Sequence, residues 1–135
     1  MTALVVFAHG SKVEAANQAI RDVAARLAER SGLVTEAAFL EIAAPDLPQV
    51  VARLVDRGAT RVVVLPYFLA PGRHAEGDLP RIIEQIREQI REGQIREHLL
   101  SIHKNVRIEA AANLDGHPAL VDILLDRANA VLEGL

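Results

Sequence analysis

The sequence predicts an α/β fold: a three-layer, flavodoxin-like domain on a four-stranded parallel sheet of order 2-1-3-4. Two observations carry that expectation. Short apolar runs alternate with amphipathic helical stretches along the whole chain, which is how parallel βα units are written in sequence. The chain has 135 residues, enough to bury one core and too few for two, so residues 1–135 read as a single domain.

The apolar runs at 3–8, 34–40, 61–66 and 106–112 are the expected strands. Between the first two, Ala16, Ile20, Val23 and Leu27 make one helical stripe, and Ser31-Gly32 supplies the stop. In the next interval Leu47, Val50, Val51, Leu54 and Val55 repeat at i, i+3, i+4, i+7 and i+8, and Gly58 closes the helix. The third helix opens after Asp78 and Pro80 and carries Gln-Ile-Arg-Glu three times, at 85–88, 89–92 and 94–97, with Gly93 between the second and third copies. Ile82, Ile86 and Ile90 give it an apolar stripe, and Glu84 with Arg87 and Glu88 with Arg91 are opposite-charge pairs at i,i+3. Gly93 costs roughly 1 kcal/mol relative to Ala if the helix runs on, so the helix ends or bends there. After the fourth strand Asp115-Gly116 makes a turn and Pro118 suits a first helical turn. Leu120, Val121, Leu124, Ala128, Val131 and Leu132 then give the last helix its apolar face.

Composition removes several function classes. A net charge of −3 provides no basic face for nucleic acid, and one Tyr, three Phe and no Trp leave little for base stacking. The absence of cysteine removes disulfides and thiolate metal sites, so any metal falls to imidazole, carboxylate or carbonyl groups. The opening run ahead of His9 has no basic leader and is too short to span a membrane, so a cytoplasmic enzyme without a membrane partner is expected.

In an open parallel sheet ligands bind outside the carboxyl ends of the strands, where the strand order reverses. In order 2-1-3-4 that point lies between the first and third strands. His9 directly follows the first strand, His74 lies in the loop after the third, and Glu41 ends the second, so all three belong to one edge. Imidazole has an unperturbed pKa of about 6.5, so near neutral pH it serves as metal ligand or proton acceptor. The turn Ala8-His9-Gly10-Ser11 lets a ligand approach the backbone at Gly10, and Ser11 is placed to cap the following helix. It lacks the further glycines of a nucleotide-binding fingerprint. The loop from Pro66 to Pro80 carries three prolines, two glycines, Arg73, His74, Glu76 and Asp78, more than a plain connection requires. Tyr67, Phe68 and Leu69 suit either an apolar, flat ligand or the core. His98, His103 and His117 read as helix-end or surface residues.

The chain resembles the small form of the sirohydrochlorin chelatases, the CbiX/SirB group of class II chelatases. The resemblance rests on Ala8-His9-Gly10-Ser11, Phe39-Leu40-Glu41 with Pro45-Asp46-Leu47-Pro48, Val62-Val63-Val64-Leu65 leading into Pro66-Tyr67-Phe68-Leu69, Gly72-Arg73-His74 and Asp78-Leu79-Pro80, in that order and spacing. It is densest from residue 3 to 80. The stretch from Gly93 to Asn105 is longer than the family pattern. The resemblance implies ATP-independent insertion of cobalt, iron or nickel into sirohydrochlorin, on the way to cobalamin, siroheme or a nickel tetrapyrrole. His9 and His74 match the family's metal-site histidines, and no cofactor beyond the divalent metal substrate (Co²⁺, Fe²⁺ or Ni²⁺) is expected. Glu41 is the further candidate for proton uptake, and Ser11, Phe68, Leu69 and Arg73 are candidates for holding the macrocycle and its carboxylates. Larger chelatases join two such halves in one chain, so a single half implies a homodimer. The alternatives are a non-catalytic metal or tetrapyrrole carrier and a phosphate-handling enzyme with His9 as nucleophile.

Overall fold

Among the described residues the strands pair only in parallel. The computed structural model describes residues 1–69, 77–91 and 106–133. Among the described residues β1 (Thr2–Ala8), α1 (Glu14–Ser31), β2 (Val34–Phe39), α2 (Leu47–Asp56), β3 (Arg61–Pro66), α3 (Leu79–Arg91), β4 (Arg107–Ala110) and α4 (Ala119–Glu133) alternate strand and helix. The sheet has the order β2-β1-β3-β4, as expected from the sequence. β4 is shorter than the apolar run at 106–112. Ala111 still donates to the Val64 carbonyl, but β3 ends on Pro66, which has no N–H to extend the ladder.

Register divides the sheet into two faces. Ala3 lies beside Val62, and Val62 beside Ile108, so Ala3, Val5, Phe7, Val62, Val64 and Ile108 share one face. α2 and α3 close it. Leu47, Val50, Val51, Leu54 and Val55 of α2 pack there with Leu79, Ile83, Ile86 and Ile90 of α3, all essentially removed from water. The stripe of α3 therefore runs through Ile83, Ile86 and Ile90, with Ile82 only partly buried at its margin. Asp46 caps α2 by accepting from the Gln49 N–H while the Gln49 side chain accepts from the Asp46 N–H, a reciprocal capping box. Glu84 of α3 pairs with both Arg87 and Arg91. The third Gln-Ile-Arg-Glu copy, Gly93, His98 and His103 lie outside the described residues.

On the other face α1 lies over β2 and β1. Gly32, at φ 73°, ends it with its N–H on the Ala28 carbonyl. α4 follows a different course. It forms where its periodicity predicts, yet it has no buried residue. Among the described residues no helix is long and apolar enough to cross a membrane.

Candidate functional site at the carboxyl edge of the sheet

The β1–β2 ladder continues past the ends of both strands, because Leu40 donates to the Ala8 carbonyl and Glu41 to the His9 carbonyl. This extension carries His9 and Glu41 forward side by side. Their side chains meet, with His9 Nε2 3.1 Å from Glu41 Oε1, and both stay substantially exposed at 42% and 57%. The approach depends on Gly10. At φ 98° it has a conformation that L side chains rarely adopt, and a Cβ there would stand 2.0 Å from the Glu41 carbonyl oxygen.

Glu41 is held from its other side by an unusual turn. Ala43 N–H bonds the Glu41 carbonyl at 2.7 Å across Ile42, whose φ is 72°. An i→i+2 bond around a positive φ is a classic γ-turn, and a β-branched residue pays steric strain there. Strain of this kind persists where the surroundings over-determine the backbone, often at functional sites.

The His9 turn is anchored from α1. Asn17 is 3% exposed, and its amide brackets Ser11. Oδ1 accepts from Ser11 N–H at 2.9 Å, and Nδ2 donates to the Ser11 carbonyl at 2.8 Å. Nδ2 also approaches Glu14, whose carboxyl sits below the usual range because of Arg21 first and Asn17 second. The expected helix cap at Ser11 is replaced by this arrangement. α1 begins only at Glu14 behind Val13, and Ser11 Oγ accepts from Val13 N–H in a local turn, two residues too early for a cap.

The third strand contributes differently. Tyr67 N–H extends the β3–β1 ladder to the Phe7 carbonyl, and Asn113 Oδ1 accepts from Phe68 N–H, tying the loop after β3 to the one after β4. The Phe68 ring stands edge-on to Phe7, with centroids 6.0 Å apart, so it anchors to the core. Leu69 turns outward and is 69% exposed. Val13, Ile42, Tyr67 and Leu69, from the loops after β1, β2 and β3, are all exposed large apolar residues at this edge. Next to them a cavity of about 570 Å³ is lined by Tyr67, Leu69, Leu114, Leu120, Ile123 and Leu124, with His117 also on its wall. Its size is that of a small-molecule site. Arg73 and His74 lie outside the described residues.

The His9–Glu41 geometry has a chemical consequence. His9 Nδ1 lies 3.2 Å from the Gly10 carbonyl. With Nδ1–H donating there, Nε2 turns toward a carboxylate oxygen, and two lone pairs at that distance need a cation between or beside them. A proton serves, and so does a metal. Two cis ligands with bonds of roughly 2.1 Å at right angles stand about 3.0 Å apart, close to the observed spacing. Among the described residues no group of three or more His, Cys, Asp or Glu side chains gathers to hold a metal.

Sequence reasoning found His9 and Glu41 but missed Gly10's role against Glu41, and missed Asn17, Val13 and Ile42. Asn17 had one readable sign, a polar residue in α1 beside the apolar stripe of Ile20 and Val23. The strain at Ile42 had none, since nothing in its side chain announces a positive φ.

The comparisons with known proteins agree on one family. The CbiX family profile matches residues 3–131. The sirohydrochlorin cobaltochelatase of Methanococcus maripaludis is 31% identical over 97% of this chain and 100% of its own length. The chloroplastic sirohydrochlorin ferrochelatase of Arabidopsis thaliana is 27% identical over 92% of this chain, which spans 50% of that protein. The crystal structure of a CbiX protein from Marinobacter aquaeolei VT8 superposes with a TM-score of 0.76, at 26% identity, over 100% of both chains. With a profile match over nearly its full length and a relative 31% identical over 97% of it, this chain belongs to the CbiX family.

Proposed function

We propose that the protein inserts a divalent metal ion into sirohydrochlorin without ATP, with cobalt as the first candidate and iron or nickel as the others. The observation that carries the chemistry is the His9–Glu41 pair, 3.1 Å apart and open to solvent at the ligand-binding edge. Relatives named as cobaltochelatase and ferrochelatase support the substrate class.

Insertion into a free-base macrocycle exchanges one M²⁺ for two pyrrole N–H protons. His9 Nε2 and Glu41 Oε1 hold the incoming ion in cis, and His74 adds a second imidazole from the loop after β3. When the ion passes to the four pyrrole nitrogens, the emptied His9–Glu41 pair takes up one of the two released protons and the other passes to His74 or to water. The same N···O spacing suits metal in one state and proton in the other, so the pair runs as an exchanger. Few protein ligands let the metal leave, which a closed four-ligand cage would prevent. Val13, Ile42, Tyr67 and Leu69 offer the macrocycle's flat face an apolar rim, while Phe68 keeps the base of the loop fixed to the core. Arg73 and Ser11 are assigned to the substrate's carboxylates. The working unit is a cytoplasmic homodimer in which two strand edges enclose what one small sheet cannot.

The test is the change in sirohydrochlorin's absorption spectrum on adding Co²⁺, Fe²⁺ or Ni²⁺ to the protein. Acceleration over the uncatalysed rate, lost in His9→Ala and His74→Ala, is the expected result. Metal-dependent binding with no acceleration by any of the three ions would assign the protein to the carriers. Activity insensitive to His74→Ala would remove the two-imidazole site.

A further inference from the structure

Among the described residues Asn17 is the only buried polar residue. Its amide grips Ser11, two residues past His9. One turn further along α1, Arg21 reaches the segment of the other ligand. Its guanidinium carbon lies 5.5 Å from the centroid of the Phe39 ring, two residues before Glu41, and Phe39 is wholly buried. Phe39 closes the base of the loop that carries Glu41, because its N–H donates to the Pro45 carbonyl at 2.9 Å and it pairs with Asp46 across a single bridge. Arg21 and Pro45 line one small cavity there. Glu14 joins the two contacts. Its Oε1 accepts from Arg21 Nη1 at 2.5 Å and its Oε2 from Asn17 Nδ2 at 3.3 Å, while Gln18 Oε1 also accepts from Arg21. Glu14, Asn17 and Arg21 are spaced i, i+3 and i+7, so one face of α1 meets both segments.

We propose that Glu14, Asn17 and Arg21 are positioning residues, a strut on α1 that sets the His9–Glu41 spacing and through it the affinity of the edge for a divalent cation. β1 and β2 end side by side, Ala8 beside Phe39. Beyond them Leu40 and Glu41 donate to the Ala8 and His9 carbonyls, and each ligand segment is then held a second time, from α1. Stability alone is a weak reason for the network. An exposed ion pair adds little to it, and the Arg21 and Glu14 side chains are 34% and 69% exposed. What the network adds is alignment. Groups that orient metal ligands from behind lower metal affinity by about 10- to 100-fold when they are lost. Arg21 first and Asn17 second hold the Glu14 carboxyl below its usual range, so it stays ionised near neutral pH and keeps both donors. With its guanidinium engaged by Glu14, Gln18 and the Phe39 ring, Arg21 belongs to the frame rather than to the set that meets the substrate's carboxylates.

The inference rests on His9 and Glu41 being the pair that holds the metal, and two readouts separate the strut from that reading. Without metal, the imidazole ¹⁵N resonances of His9 report the carboxylate beside it, with Glu41→Ala as the reference for its loss. Arg21→Met and Asn17→Ala should move these resonances toward those of Glu41→Ala. Arg21→Lys keeps the cation without the planar fork and should lie between Arg21→Met and wild type. Titration of the protein alone with Co²⁺, followed by calorimetry and by the visible Co²⁺ bands, should show Arg21→Met binding about 10-fold more weakly or worse, with a melting midpoint within about 4 °C of wild type. Asn17→Ala combined with Arg21→Met should weaken Co²⁺ binding by less than the product of the single effects, because both act through Glu14 on one pair. Arg30→Met, the same change at the exposed far end of α1, should alter none of these. In the insertion assay the KM for Co²⁺ should rise and the KM for sirohydrochlorin should not. His9 resonances unmoved in both Arg21→Met and Asn17→Ala, or Co²⁺ affinity lost only in step with unfolding, would overturn the strut. If His9→Ala leaves Co²⁺ binding intact, the metal reading falls instead, and the metal-free resonances alone decide whether α1 positions the pair.

Discussion

α2 and α4 are written alike and end oppositely. Each is rich in leucine and valine and follows a strand of the same parallel sheet, but the apolar residues of α2 share one stripe while those of α4 spread over the sides of Leu120–Ile123–Leu124 and of Val121–Leu125–Leu132. In α2 all five apolar anchors are at 0–1% exposure, whereas α4 buries nothing. The difference teaches that a periodic apolar stripe specifies a helix and a face, but not which molecule covers that face. α2 is fixed to its own sheet by a short connection and a capping box, while α4 follows a turn tied to the Phe68 carbonyl and buries none of its residues among those described. The largest expected effect tests this contrast directly. Leu54→Ala should cost about 2–5 kcal/mol in urea unfolding, as a large-to-small change in a closed core. Leu125→Ala, measured below the concentration at which chains associate, should change stability by less than about 0.5 kcal/mol, as an exposed site does. Equal losses at the two positions would break the comparison.

Most of the fold was legible because it rests on periodicity. Short apolar runs gave the strands, 3.6-residue stripes gave the helices, and the flavodoxin-like pattern of parallel βα units gave the order of the sheet. The face through Ile83, Ile86 and Ile90 was approximated from the four-residue spacing of Ile82, Ile86 and Ile90, an offset of one residue at the helix start. Of the candidate site, His9 and Glu41 were legible because topology alone puts the residue after β1 beside the one after β2. What fixes them was not. Gly10 needs its partner's carbonyl to explain it, and Ile42 owes its conformation to a turn whose sequence is unremarkable. Such features are properties of two segments brought together, so neither segment shows them alone.

The carboxyl edge forms a third case beside the two helices, held by backbone fit rather than by apolar burial. Gly10→Ala should therefore cost as much as a core mutation though it removes no contact. The positive φ costs roughly 1–3 kcal/mol, and displacing the Glu41 carbonyl a further 1–3 or so. Thermal unfolding measures the loss, and cobalt titration should weaken with it because His9 and Glu41 are pushed apart. A stable variant that keeps full cobalt affinity would show that the edge tolerates separation.

Asn17→Ala should cost less, about 1–3 kcal/mol, by leaving the Ser11 N–H and carbonyl unpaired in a buried place. Asn17→Asp keeps the acceptor for Ser11 N–H but turns a carboxylate oxygen toward the Ser11 carbonyl and Glu14 in a buried place, so at neutral pH it should lose at least as much stability as Asn17→Ala in urea unfolding. If Asn17 acts on the site through Ser11, both variants lower turnover more than their stability loss at the assay temperature accounts for. Unchanged turnover per folded molecule would confine Asn17 to a structural role.

The smallest effect has the opposite sign. Ile42 is 59% exposed and sits at a φ of 72°, so replacing it removes little packing and relieves strain. Ile42→Gly should stabilise the chain by about 0.5–1 kcal/mol, the relief of a left-handed β-branched residue less the added entropy of an unfolded glycine. The gain in melting temperature should be matched by weaker sirohydrochlorin binding, because the variant also deletes part of the apolar rim. α2 buries its stripe for stability, and Ile42 exposes a strained side chain at the edge where a ligand would meet it. If Ile42→Gly instead loses stability, the γ-turn is not strained and the surrounding packing, not the substrate edge, is what holds Ile42 in place.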